Sequence, residues 1–212
     1  MIVSLSILNI EKEERYSKIN DFMKVKDNWI HFDIMDGKFV ENKTFAYEVV
    51  NEIDRYCDFF KDVHLMTYAP DKYLKEYKEA GANQITFHYE SVEKKVVLNV
   101  INKVKSLNMK VGISIKPTTK VEEIEEYLPY LDLVLVMSVE PGKGGQKFMN
   151  ESLYKIKSLK EKQKENHYLI SVDGGINDET SKLVKEAGAD VIVVGTYLTK
   201  NEINEDKIIE LM

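Results

Sequence analysis

A single cysteine, Cys57, stands in a chain of 212 residues, so no intrachain disulfide can form and a reducing compartment is expected. No apolar run is long enough to cross a bilayer. The apolar start MIVSLSILNI carries neither a basic leader nor a small-residue cleavage site, and we expect a cytoplasmic protein with no membrane attachment. An excess of basic residues is also missing. Thirty Lys and Arg face 36 Asp and Glu, for a net charge of −6, which argues against nucleic acid as a main partner. A small phosphorylated ligand is not excluded, because backbone N–H groups can hold one. No linker rich in Pro, Gly or Ser interrupts the chain, and residues 1–212 are expected to form one domain. No Gly-x-Gly-x-x-Gly follows the first apolar run, which weakens an open, doubly wound dinucleotide-binding sheet.

What is present is an alternation. Eight short runs rich in Val and Ile read as strands: Ile2–Ser6, Trp29–Met35, Asp62–Met66, Gln84–His88, Lys110–Lys116, Leu131–Met137, Tyr168–Asp173 and Asp190–Gly195. Between them lie Lys- and Glu-rich stretches with helical spacing: Glu11–Lys24, Phe45–Phe59, Asp71–Glu79, Val92–Leu107, Val121–Leu128, Asn150–Lys164 and Asp178–Glu186, with Glu205–Met212 as a final helix. Strand-helix alternation repeated eight times at this length predicts an α/β fold, a closed (β/α)8 or TIM barrel. KEYKEAGANQITFH (75–88) echoes KLVKEAGADVIVVG (182–195) at an offset of 107 residues, or four βα units. Either a half-barrel repeat or a common helix-to-strand connector accounts for the echo. Both readings put a glycine where a helix needs a left-handed cap.

Barrel enzymes build their sites at the C-terminal ends of the strands. There the second strand carries His31, Asp33 and Met35 at alternate positions, so all three share one face. The third strand adds His64 and Met66, and the seventh ends on Asp173. Two His and two Asp at one mouth suit a divalent metal, with zinc, iron(II), manganese and cobalt equally compatible. Any one of the four could instead be a buried group satisfied by hydrogen bonds. Four together without a function would be costly to bury. His88 is a candidate to stand behind a ligand, with Glu90 in the loop beyond it. Met35, Met66 and Met137 either form a polarizable wall or fill the core. Asp36 precedes Gly37 and reads as a turn residue, and His167 reads as surface.

Glycines gather at the last strand ends: Gly142, Gly144 and Gly145 around Lys143, then Gly174 and Gly175, then Gly195 before Thr196. Such loops let backbone N–H groups approach an anion, and adjacent late strands are where barrels often hold phosphate.

Taken together, Ser-Ile-Leu (6–8), His-Phe-Asp-Ile-Met-Asp-Gly (31–37), Val-His-Leu-Met (63–66), Thr-Phe-His-Tyr-Glu (86–90), Ile-Lys-Pro (115–117), Val-Met-Ser-Val-Glu-Pro-Gly-Lys-Gly-Gly-Gln-Lys-Phe (136–148) and Val-Asp-Gly-Gly-Ile-Asn (172–177) resemble the ribulose-phosphate 3-epimerases over nearly the whole chain. The resemblance implies a metal-dependent isomerase of the pentose phosphate pathway that interconverts D-ribulose 5-phosphate and D-xylulose 5-phosphate. It implies His31, Asp33, His64 and Asp173 as metal ligands, and Asp33 and Asp173 as the acid/base pair. Ser6 and His64 would contact the sugar, while the glycine loops with Lys143 and Thr196 would hold the substrate, chiefly its phosphate. A homo-oligomer is implied as well. The chain departs from the family pattern at Asn9-Ile10-Glu11, Glu41, Lys143 and Thr196, which touches the lid and fine substrate preference.

Epimerisation beside a carbonyl needs proton removal on one face and return on the other, through an enediolate whose charge a metal stabilises. Strands 2 and 7 lie three steps apart around an eight-strand ring, roughly 135°, which places two carboxyls nearly across the mouth. A six-carbon substrate such as D-allulose 6-phosphate would use the same chemistry and is the nearest rival. A phosphosugar-binding barrel without catalysis would have lost an Asp or a His, and none is lost. A lyase or decarboxylase would need a strand-end lysine, for which Lys116 is the only candidate.

Overall fold

Both faces of each strand are covered in a parallel barrel, and the strands are accordingly buried almost throughout. They are β1 (Ile2–Ser6), β2 (Trp29–Met35), β3 (Phe60–Met66), β4 (Gln84–His88), β5 (Lys110–Ile115), β6 (Leu133–Met137), β7 (Leu169–Asp173) and β8 (Val191–Val194). The computed structural model describes residues 1–25, 27–200 and 202–212. All neighbouring strands pair in parallel, and β8 pairs back onto β1 to close the barrel. Each expected strand is present, and β3 starts two residues earlier than expected, at Phe60.

Helices α1 (Arg15–Phe22), α2 (Tyr47–Asp54), α3 (Leu74–Glu79), α4 (Val97–Ser106), α5 (Ser152–Lys162) and α6 (Asp178–Ala187) alternate with the strands. The segment 121–128 departs from the α-helix expected there. It forms two 3-10 turns, Val121–Glu123 and Glu125–Tyr130. Pro129 lies in the second turn, lacks an N–H and crowds the carbonyl four residues back, which stops an α-helix from propagating. A short helix not anticipated from the periodicity, α7 (Thr196–Thr199), follows β8 and precedes α8 (Glu205–Leu211). No described helix is long and apolar enough to cross a membrane.

The two echoed segments share a physical cause. Gly81 and Gly188 follow α3 and α6 with φ of +92° and +111°. Gly188 caps α6 by donating its N–H to the carbonyls of Val184 and Lys185, a conformation that costs any residue with a Cβ.

Two apolar cores result among the described residues. The larger lies between the barrel wall and the helices and includes Val3, Leu5, Ile30, Phe32, Ile85, Phe87 and Ile192. The smaller is inside the barrel and includes Trp29, Leu133, Leu135, Val191 and Val193. Strand alternation turns Ser4, His31, Asp62, Gln84 and Thr86 inward as well, and all five are buried. The interior is therefore polar on the β1–β4 side, directly beneath the mouth.

Candidate active site

Strand register brings the four sequence candidates together. Asp33 on β2 is paired with His64 on β3, and His31 lies two residues back on the same face of β2. Asp173 ends β7 across the mouth. One donor atom from each of His31, Asp33, His64 and Asp173 falls within 4.8 Å of all the others. The distances identify the atoms. His31 Nε2 lies 3.3 Å from Asp33 Oδ1 and 4.0 Å from Asp173 Oδ2. His64 Nδ1 lies 3.3 Å from the same Asp33 oxygen and 3.9 Å from the same Asp173 oxygen. Among the described residues, His31 Nε2 is fully buried yet has no hydrogen-bond partner, an arrangement that a cation resolves. Two imidazole nitrogens and two carboxylate oxygens converging in this way can hold a divalent metal, and N and O donors together leave its identity open.

The two carboxyls are driven apart electrostatically. Burial pushes Asp33 up, but the nearby charges of His31 and His64 and the hydrogen bond from His64 outweigh it and hold the group well below the usual carboxylate range. Asp173 is raised to about 6, first by burial and then by the negative charge of Asp33. His31 is opposed by burial, yet Asp33 and Asp62 on either side raise it well above an ordinary histidine. Ser6 donates its hydroxyl to Asp33 Oδ2 at 2.7 Å and so fixes the oxygen that faces away from the cluster.

Behind each histidine stands a polar chain. His31 Nδ1 meets Asp62 Oδ2 at 2.8 Å, and Gln84 Nε2 donates to the other Asp62 oxygen at 2.8 Å. His64 Nε2 meets His88 Nε2 at 3.0 Å, and His88 Nδ1 meets Glu90 Oε2 at 3.0 Å. Burial lowers His88 to about 4, so it is neutral at pH 7. Glu90 resists its own burial because His88 and Thr119 hydrogen-bond its ionised form, and it is held at about 2. Asp62, Gln84 and Thr119 were not singled out by sequence reasoning. A period-two reading of β3 through His64 would have reached Asp62, which lies on the same inward face.

A cavity of about 400 Å³ opens above the cluster. Ser6, Asp33, Asp173, Met35, Met66 and Met137 line it, as do Gly142, Lys143, Gly144, Gly145, Gly174, Gly175, Gly195 and Thr196. His31, His64 and His88 lie beneath its floor, fully buried. The glycines differ in what they are for. A Cβ on Gly175 would come within 2.5 Å of the Phe148 backbone, so that glycine lets two loops touch. A Cβ on Gly145 would meet nothing nearer than Thr196 Oγ1 at 3.7 Å, so its main requirement is its φ of +73°. Asn9 Nδ2 donates to Thr196 Oγ1 at 3.0 Å, tying two departures from the family pattern to each other. Lys200 and Lys207, which sequence reasoning missed, also line the cavity. Asp36 accepts from the N–H groups of Lys38, Phe39 and Tyr68, a turn role as expected, and His167 is exposed.

Comparison with known proteins bears on this constellation. The sequence pattern of the Ribulose-phosphate 3 epimerase family matches residues 2–199. The chain belongs to the ribulose-phosphate 3-epimerase family. It is an enzyme of the isomerase class, in the epimerase group. It is 40% identical over 198 residues to ribulose-phosphate 3-epimerase of Bacillus subtilis, covering 92% of this chain and 90% of that one. It is 38% identical over 203 residues to the enzyme of the same name from Schizosaccharomyces pombe, covering 94% and 85%. Among solved structures, a 3-hexulose-6-phosphate synthase superposes with a TM-score of 0.74 over 100% of this chain and 98% of its own, at 16% identity. That likeness concerns the barrel alone.

Proposed function

We propose that this family member interconverts D-ribulose 5-phosphate and D-xylulose 5-phosphate by moving a proton at carbon 3, with one divalent metal held by His31, Asp33, His64 and Asp173. The observation that carries the reading is the placement of two carboxyls of opposed acidity, Asp33 and Asp173, on β2 and β7 over one pair of histidines. A bound metal would supply positive charge beside the oxygen on which negative charge develops as the proton leaves.

The remaining work falls to the chain. Asp33, ionised, takes the carbon-3 proton from one face, and Asp173, protonated, returns a proton to the other. In the reverse direction the roles exchange. Ser6 keeps Asp33 oriented through its 2.7 Å hydrogen bond. Met35, Met66 and Met137 keep water from the cavity wall. The loops carrying Gly142–Gly145, Gly174–Gly175 and Gly195–Thr196 offer backbone N–H groups to the phosphate, with Lys143, Lys200 and Lys207 at the same cavity. Assembly into a homo-oligomer belongs to the same reading and is checked by light scattering.

The test is turnover of ribulose 5-phosphate and of allulose 6-phosphate before and after chelation. We expect the pentulose phosphate to be converted, activity to disappear with chelator, and metal to restore it. Preference for the hexulose phosphate would move the substrate assignment, and conversion of neither by metal-loaded protein would sink the epimerase reading.

A further inference from the structure

We propose that Glu90, acting through His88, is a positioning residue that commits Nδ1 of His64 to the metal. The inference rests on the reading of His64 as a ligand and concerns residues that do not touch the ion.

The hydrogen-bond chain has a direction, and the direction follows from what each atom can do. A carboxylate only accepts. Glu90 Oε1 accepts from the Lys116 N–H at 2.8 Å and from the Thr119 hydroxyl, and its Oε2 faces His88 Nδ1 at 3.0 Å. His88 Nδ1 must therefore carry the proton. In a neutral imidazole Nε2 is then a lone pair. That lone pair faces His64 Nε2 at 3.0 Å, so His64 Nε2 must be the donor. The nitrogen of His64 left for a cation is Nδ1, the one that lies 3.3 Å from Asp33 and 3.9 Å from Asp173. Any proton on it in the metal-free protein is one that a metal displaces.

The far end of the chain is fixed. Lys155 on α5 donates from Nζ to the carbonyls of Lys116, Pro117 and Thr119 at 2.7, 2.8 and 2.6 Å, which pins the loop that holds Glu90. The Phe39 ring packs on His88 with centroids 4.8 Å apart, and Lys116 Nζ lies 4.3 Å from the other partner of that stack, the Phe39 centroid. His88 is thus covered by an aromatic ring and fully buried from solvent. His31 reaches the same result by a shorter route, since Asp62 takes its Nδ1 directly. The general effect is established for metal-binding histidines, whose outer nitrogen is fixed by a carboxylate or a carbonyl. Here it is transmitted through a second histidine.

Glu90→Gln separates this role from mere packing. Two donors, the Lys116 N–H and the Thr119 hydroxyl, hold the amide oxygen of the new side chain, so its NH2 faces His88 Nδ1. The proton of His88 is then driven to Nε2, against the Nε2–H of His64, and His64 moves its own proton to Nδ1. The experiment is a zinc(II) and cobalt(II) titration of metal-free wild type and Glu90→Gln against a chromophoric chelator, with circular dichroism to compare folds. Nitrogen-15 spectra of the histidine rings are read in parallel. We expect metal affinity to fall about 10–100-fold in the variant. In wild type, His88 should carry its proton on Nδ1 and His64 should carry one on Nε2. Unchanged metal affinity in a folded variant would overturn the proposal. So would a wild-type His88 protonated on Nε2, a reading that needs no variant and stands even if Glu90→Gln does not fold. Wild type that binds neither metal would instead overturn the ligand reading of His64.

Discussion

Asp62 sits beside His31 in the β2–β3 register, and the two side chains meet at 2.8 Å within the barrel. Neither residue reaches the cavity, yet the contact decides which nitrogen of His31 faces Asp33 and Asp173. Removing it should show in metal binding before it shows anywhere else. Asp62→Leu is expected to weaken zinc affinity about 10–100-fold. It also leaves two buried donors unpaired, at a cost of about 1–3 kcal/mol each. Asp62→Asn should be milder, because its amide oxygen can still accept from His31 once Gln84 turns its own amide over. Chelator competition and thermal melts on the two variants separate the cases.

The second expectation sets activity against stability at Asp173. Its folded-state carboxyl is raised to about 6, above the 3.8 of an ordinary aspartate. The native state therefore holds a proton that the unfolded chain has released, and this contribution is lost as pH rises through 6. At neutral pH the ionised group strains the metal-free fold by up to roughly 3 kcal/mol. Asp173→Asn should raise the neutral-pH melting temperature of the metal-free protein while nearly abolishing turnover. Asp33→Asn should also nearly abolish turnover without that gain, since Asp33 is held low by its histidines and is stabilising when ionised. Retained activity in either variant would remove that residue from the acid/base pair.

Metal uptake should release protons. His31 is raised well above 6.5 in the metal-free protein by Asp33 and Asp62, against its own burial. A cation that binds Nε2 must displace that proton, so apparent affinity should rise with pH through the neutral range. Calorimetry in buffers of different ionisation enthalpy counts the protons. An affinity independent of pH would show that His31 is neutral before the metal arrives.

The phosphate end gives a fourth expectation. Lys143, Lys200 and Lys207 line the cavity, and among the described residues none of them forms an ion pair within 4.0 Å. Lys207→Met should raise KM roughly 3–10-fold, about 0.7–1.4 kcal/mol, with kcat little changed. The gap between wild type and variant should narrow at high salt, where charge is screened. A fall in kcat at constant KM would place Lys207 in a different role.

Much of the barrel was legible because its signals are local. Continuous apolar runs marked the strands, and the two-residue alternation of His31, Asp33 and Met35 marked one face of β2. The segment 121–128 has helical spacing but folds as two 3-10 turns, and spacing alone does not register Pro129 just past its end, which has no N–H for the Glu125 carbonyl and crowds it. The helix α7 was missed because four residues carry too little periodicity to detect.

By itself the sequence determined the order of elements, the inward face of β2 and β3, and the four candidate donors near the strand ends. All of these depend on residues close together in the chain, where side-chain direction follows from backbone geometry. Only the tertiary structure decided which partner each donor has. Asp62 reaches His31 through the register of β2 against β3. Glu90 reaches His64 through His88 on β4, and Lys207 reaches the cavity from α8 at the far end of the chain. Those pairings join residues distant in sequence, and they exist only once the barrel has closed and its stagger has set which side chains share a level.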